Sequence, residues 1–118
     1  MGATKGSAKP ELLAFIDAIS AQIDQGHYAD AASAIADFKK GHHGLGYFIE
    51  EALPSRVTDH LLKVTGAHTA FTTFTLRRPN WTTELNAVSS DPEGFAAFIA
   101  RMEADIREIA ASKAPKAA

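Results

Sequence analysis

The stretch HTAFTTFTLRRPNWTTELNAV, residues 68–88, decides the fold class of this chain. Its first half is rich in threonine and phenylalanine, which favour strands, and Pro79-Asn80 is a typical turn pair. After the turn the residues alternate between two faces, as in a half-buried strand, and one face would hold Trp81, Thr83, Leu85 and Ala87. The stretch therefore predicts a β-hairpin.

Helical patterns surround this stretch on both sides. Upstream, apolar residues recur at intervals of three and four, and Gly26, Gly41 and Gly66 stand where helices are expected to end. Pro54 is expected to separate a short third helix from a fourth one, because proline disfavours helical geometry at the residue before it. Downstream, the run SDPE at 90–93 combines a cap, a proline and an acid, and it predicts the start of a long C-terminal helix.

These segments predict an α+β fold that is predominantly helical, with about five helices and one β-hairpin packed on the long C-terminal helix. A chain of 118 residues has the length of one domain. We assign the globular domain to residues 10–112, with a disordered basic tail at 1–9 and a second disordered tail at 113–118. The predicted core comprises Leu12, Ile16, Ile19, Ile35, Phe38, Phe48, Leu61, Phe95, Phe98, Met102 and Ile106.

Composition excludes several classes of function. Cysteine is absent, which rules out disulfides, thiolate zinc sites and a cysteine nucleophile. The sequence shows no apolar leader and no apolar run of membrane-spanning length, so a cytoplasmic location without membrane contact is expected. Residues 10–112 hold all 14 acidic residues and only 8 of the 12 basic ones. Because affinity for duplex nucleic acid comes mainly from neutralising phosphates, this acidic body argues against such a partner.

The turn GHHGLG at 41–46 is a candidate anion or nucleotide site. Basic side chains precede the expected start of a helix, whose free N–H groups favour anions, and the glycines let a phosphate approach the backbone. The candidate residues of this turn, within 39–46, are Lys39, Lys40, His42, His43 and Gly44. An anion-binding protein or a small enzyme would use this turn; alternatively, the basic residues only cap the second helix.

Histidines form a second candidate site, for a metal ion or haem. Neutral imidazole is the commonest metal ligand, and four of the five histidines fall close together in the sequence, although without the short paired spacing of a structural zinc site. The candidate ligands are His42, His43, His60 and His68. The alternative is that they are ordinary histidines of turns and helix ends, and the sequence leaves the cofactor unknown.

A third candidate is a protein interface at the tip of the predicted hairpin. Tryptophan and arginine dominate interface hot spots, and an unguarded strand edge favours pairing with another chain. The residues concerned are Phe71, Phe74, Arg77, Arg78 and Trp81. They predict a protein partner or a homodimer, unless Trp81 belongs to the core or Phe71 and Phe74 lie on a helix, which would remove the strand edge. Because no catalytic motif is found, we expect a small accessory or regulatory protein that acts through protein–protein contact rather than an enzyme.

Overall fold

The computed structural model describes residues 2–42 and 44–113, with side chains described for 10–42 and 44–112. These residues form six α-helices and no strand: α1 (Gly2–Asp24), α2 (Tyr28–Gly41), α3 (Gly46–Thr65), α4 (His68–Arg77), α5 (Trp81–Val88) and α6 (Pro92–Lys113). The predicted α+β class is therefore wrong, and the described part of the chain is all-α. Helix α1 begins at Gly2, within the tail predicted at 1–9, and the disorder of that tail stays a prediction. Most of the predicted tail at 113–118 lies outside the described residues.

Residues 68–88 form α4 and α5 instead of a hairpin, and burial shows why. Trp81 and Leu85 are buried, whereas Thr83 and Ala87 are exposed. A spacing of four is a multiple of the strand period and also close to one helical turn, so Trp81 and Leu85 fit both patterns. Thr83 and Ala87, which a strand would place on the same face, distinguish the patterns, and their small side chains carry little hydrophobic signal. The alternation inferred from the sequence was therefore ambiguous.

The threonines that favour strands are accommodated by the helix backbone. The Thr72 hydroxyl donates to the carbonyl of His68 at 3.2 Å, and the Thr75 hydroxyl donates to the carbonyl of Thr72 at 2.8 Å. Such bonds to the preceding turn satisfy the hydroxyl inside a helix. Phe71 then packs edge-on against Trp81, with ring centroids 6.0 Å apart. This contact joins α4 to α5, and both helices also pack on α6, so tertiary packing overrides the local strand propensity.

Helix α3 runs unbroken through Pro54, so the predicted division into two helices is wrong. Proline at position 54 cannot donate to the carbonyl of Glu50, four residues earlier. The side-chain amide of Asn86 on α5 donates to that carbonyl at 3.0 Å. A side chain from another helix therefore replaces the missing backbone hydrogen bond. Sequence patterns within a few residues of Pro54 do not predict this bond, because Asn86 is 36 residues from Glu50.

The helices pack around α6, which contacts α2, α3, α4 and α5, while α1 packs on α2 and α3. Most of the predicted core is buried as expected: Ile16, Ile19, Ile35, Phe38, Leu61, Phe95, Met102 and Ile106. Leu12 and Phe98 are only half-buried, and Phe48 is 46% exposed, so Phe48 was wrongly placed in the core. Because α3 continues through Pro54 as one helix, Ile49 and Leu53 lie on its buried face in place of Phe48.

Within the described ranges, no helix combines the length and the apolar character needed to cross a lipid bilayer.

Candidate functional site

A groove lies between α4 and α6 and is closed at one end by the last turn of α5. We call it the α4–α6 groove. Its first section has a volume of about 420 Å³ and an apolar floor formed by Phe74, Val88, Phe98 and Met102. Its second section, of about 290 Å³, continues along α6 past Asp105 as far as Ser112. Phe74, Arg78 and Asp105 line both sections, so the two sections adjoin each other.

Gly94 positions the closed end of the groove. A Cβ atom at this position would lie 2.6 Å from Asp91 Oδ2 and 3.3 Å from Val88 Cβ. The absence of a side chain therefore lets the first turn of α6 approach the end of α5 closely. That close approach places Val88 beside Phe98 in the lining of the first section.

Charged side chains form the rim. Arg78 Nη2 lies 2.6 Å from Glu84 Oε1, whereas Arg101 Nε lies 3.8 Å from Asp105 Oδ1 and the Arg101 side chain is 75% exposed. The second section adds Arg77 from α4 and Glu108 from α6. Neither of these two side chains has an ion-pair partner in the described part of the chain.

The residues predicted to form a protein interface divide between this groove and the core. Phe74, Arg77 and Arg78 line the groove. Phe71 is half-buried, and Trp81 is only 7% exposed, so Trp81 belongs to the core, where it packs on Phe71, instead of standing at a tip. A homodimer made by pairing strand edges has no basis here, because residues 68–88 contain no strand.

The predicted anion site is a corner where two of its basic side chains already face carboxylates. Lys39 Nζ lies 3.2 Å from Glu50 Oε2, and His42 Nε2 lies 3.3 Å from Glu11 Oε2. Lys40 is exposed, and Gly44 has φ +89°, which suits the tight corner before α3. A cavity of about 340 Å³ lies at this corner, but Glu50 is part of its lining. These carboxylates oppose the binding of an anion. His43 lies outside the described residues.

Of the predicted metal ligands, the three that the structure describes are not brought together. His42 follows the last residue of α2, His60 bonds to Tyr28 at the first residue of α2, and His68 begins α4. The fourteen residues of α2 separate its two ends by about 20 Å. In the ranges that the structure describes, no three histidine, aspartate or glutamate side chains converge as a metal site would require.

His60 is buried and instead joins three helices through a hydrogen-bonded cluster. Its side chain is 2% exposed, and the ring nitrogens lie 2.7 Å from the Tyr28 hydroxyl and 3.2 Å from Asp24 Oδ1. A neutral imidazole satisfies both contacts, because the Tyr28 hydroxyl donates to Nε2 while Nδ1–H donates to Asp24. Asp24 Oδ2 also accepts a bond from Lys63 at 3.0 Å.

The electrostatics of this cluster indicate a structural role. Burial, followed by the carboxylates of Glu103 and Asp24, raises the pKa of the Tyr28 phenol, which keeps it a protonated donor and a poor nucleophile. Burial also raises the pKa of Asp24, but hydrogen bonds from Lys63 and His60 outweigh it and leave the pKa below its ordinary value. We therefore regard this chain of polar groups as a link between α1, α2 and α3.

Comparison with protein-family models, curated proteins and solved structures found no match to this chain. Its function is therefore inferred from the geometry of its own residues.

Among the groove residues that were not predicted as site residues from the sequence are Phe98, Arg101 and Met102. Phe98 and Met102 were assigned wholly to the core because they continue the apolar stripe of α6. A signal was present, since Phe98 lies three residues before Arg101 and such residues are neighbours on a helix surface. An aromatic ring beside an arginine at the border of a buried stripe is typical of a binding surface.

Proposed function

We propose that this protein is a small accessory protein of the cytoplasm that binds a helical segment of another protein in the α4–α6 groove. The observation that carries the proposal is an open groove with an apolar floor, of about 420 Å³ in its first section, rimmed by arginines from both walls. Apolar grooves of this kind bind amphipathic helices, and aromatic and arginine side chains supply most of the affinity of such interfaces.

The length of the groove supports a helical occupant. The lining of α6 extends from Gly94 in the first section to Ser112 in the second. Eighteen residues of helix rise by about 27 Å, which equals five turns of a bound helix. Apolar side chains line the first section beneath charged ones, and apolar surface rimmed by polar residues marks interaction sites in many proteins.

The test is photochemical cross-linking in the cells that produce the protein. Benzoylphenylalanine would replace Ala97, which is exposed and lines the groove, and in a matched control it would replace the exposed Ala29 on α2. We expect irradiation to give one discrete adduct from position 97 and none from position 29. Mass spectrometry should place the cross-link within an amphipathic segment of the captured protein.

Three results would count against the proposal. An absence of adducts from position 97, or the same adducts from positions 97 and 29, would show that the groove does not bind a partner. A cross-link to a second copy of this chain would assign the groove to self-association instead. Circular dichroism of both substituted proteins ensures that a negative result does not come from unfolding.

A further inference from the structure

A stack of three aromatic rings holds the end of α2 against α1. Phe15 of α1 lies on Phe38 of α2 with ring centroids 4.2 Å apart, and Phe38 lies on His42 with centroids 4.0 Å apart. His42 follows the last residue of α2, and its Nε2 lies 3.3 Å from Glu11 Oε2 on α1. We infer that these four residues form a pH-sensitive clamp, which joins α1 to the end of α2 through an ion pair with Glu11 when His42 is protonated and loses that ion pair when His42 is neutral.

Both ring nitrogens of His42 face hydrogen-bond acceptors. Nδ1 lies 3.1 Å from the Phe38 carbonyl oxygen, and Nε2 faces the Glu11 carboxylate. A neutral imidazole has one N–H and donates to only one of these oxygens, whereas the imidazolium has an N–H for each. His60 differs, because one of its partners is the Tyr28 hydroxyl, which supplies its own proton and satisfies the neutral ring. The contact between His42 and Glu11 is therefore complete only when the ring carries both protons.

Two further features stabilise a positive charge on this ring. The His42 ring is nearly parallel to that of Phe38, with an interplanar angle of 11°, and the face of an aromatic ring attracts a cation. His42 also stands directly after α2, where the free carbonyl groups of a helix end carry a partial negative charge. Protonation therefore strengthens the contacts that His42 makes with its own helix as well as with α1.

The other titratable groups that the structure places beside His42 keep their charge where imidazole titrates. Lys39 of α2 and both Tyr47 and Glu50 of α3 line a cavity next to it. Lys39 pairs with Glu50 at 3.2 Å, and a hydrogen bond to a neighbouring carboxylate raises the pKa of the Tyr47 phenol above its ordinary value of 10.0. Imidazole is the side chain that ordinarily titrates between about pH 5 and pH 8. The ion pair with Glu11 is therefore present at the acid end of this range and is lost as the pH rises through it.

The test is urea unfolding of the wild type and Glu11→Gln at about pH 5.5 and about pH 8, on either side of imidazole titration. We expect Glu11→Gln to raise the equilibrium constant of unfolding about two- to fivefold at the lower pH, as loss of an exposed ion pair does, and by less than about 1.5-fold at the higher pH. Asp17→Asn is the matched control, because it removes a carboxylate from the same helix. Its partner is Arg56 at 3.4 Å, which stays charged, so its effect should be the same at both pH values.

A double-mutant cycle with His42→Gln assigns the pH dependence to this histidine, because glutamine does not titrate. In the His42→Gln background, Glu11→Gln should have the same small effect at both pH values. The clamp would be overturned if Glu11→Gln acts equally at both pH values in the wild-type background, or more strongly at the higher one. It would also be overturned if the pH-dependent effect persists in the His42→Gln background. Circular dichroism first checks that each variant keeps the wild-type helix content.

Discussion

At the scale of single residues, the amide of Asn86 replaces the backbone donor that Pro54 lacks. We predict that Asn86→Ala lowers the free energy of unfolding by about 1–2 kcal/mol, because the Glu50 carbonyl then loses its donor. In a Pro54→Ala background the loss should be smaller, since the N–H of residue 54 can donate to that carbonyl. Urea denaturation of the four proteins of this double-mutant cycle measures the difference. If Asn86→Ala destabilises both backgrounds equally, the Asn86 amide does not replace the backbone donor that Pro54 lacks.

Two phenylalanines of α6 test the boundary between core and groove. Phe95 is fully buried, whereas Phe98 is half-buried and lines the groove. We predict that Phe95→Ala lowers the free energy of unfolding by about 3–5 kcal/mol and Phe98→Ala by only about 1–2 kcal/mol, because Phe98 loses less buried area. Denaturant titration of each variant checks the order. Losses of equal size would place Phe98 in the core, as its position in the apolar stripe predicts.

At the scale of elements, α4 and α5 show how packing selects between two local preferences. Thr72 and Thr83 are exposed in these helices. We predict that Thr72→Ala and Thr83→Ala each raise the free energy of unfolding by about 0.5 kcal/mol, because alanine has the higher helix propensity. In a β-hairpin the same changes would lower it, since alanine is poor in strands. Thermal unfolding followed by circular dichroism shows whether the two variants are more or less stable than the wild type. Lower stability of both variants would argue for the hairpin.

At the scale of the whole molecule, the cluster around His60 joins α1, α2 and α3 and makes stability depend on pH. The folded pKa of Asp24 is lowered from its ordinary value of 3.8. The folded state therefore holds the Asp24 proton less tightly than the unfolded chain does. Its stabilising contribution is fully present above pH 3.8 and is lost as the pH falls through the folded pKa.

We accordingly predict that Asp24→Asn reduces stability at neutral pH and weakens the dependence on pH in the acid range. Urea unfolding at pH 7 and at pH values below 3.8 provides the measurement. Asp30→Asn serves as the control, because Asp30 is exposed on α2 and bonds to no side chain in the described residues. Identical pH profiles for wild type and Asp24→Asn would show that Asp24 contributes nothing to acid sensitivity.

The sequence by itself determined α2, α6 and the buried faces of the N-terminal helical hairpin. These helices carry long apolar stripes with helical spacing and local stop or start signals such as Gly26 and Pro92. Such signals act within a few residues, so they hold whatever the rest of the chain does. Phe74, Arg77 and Arg78 were also predicted from the sequence as interface residues, and the structure places all three in the groove.

Only the tertiary structure decided the continuity of α3, the helical state of α4 and α5, and the groove, because the contacts responsible join residues that are far apart in the chain. Asn86 supports the continuous α3 from 36 positions away. Phe71 and Trp81 hold α4 against α5, and packing on α6 selects the helical period over the alternation that Trp81 and Leu85 also allow. The groove itself exists only where α4 lies beside α6, so no local pattern could show that Arg78 and Arg101 face one cavity.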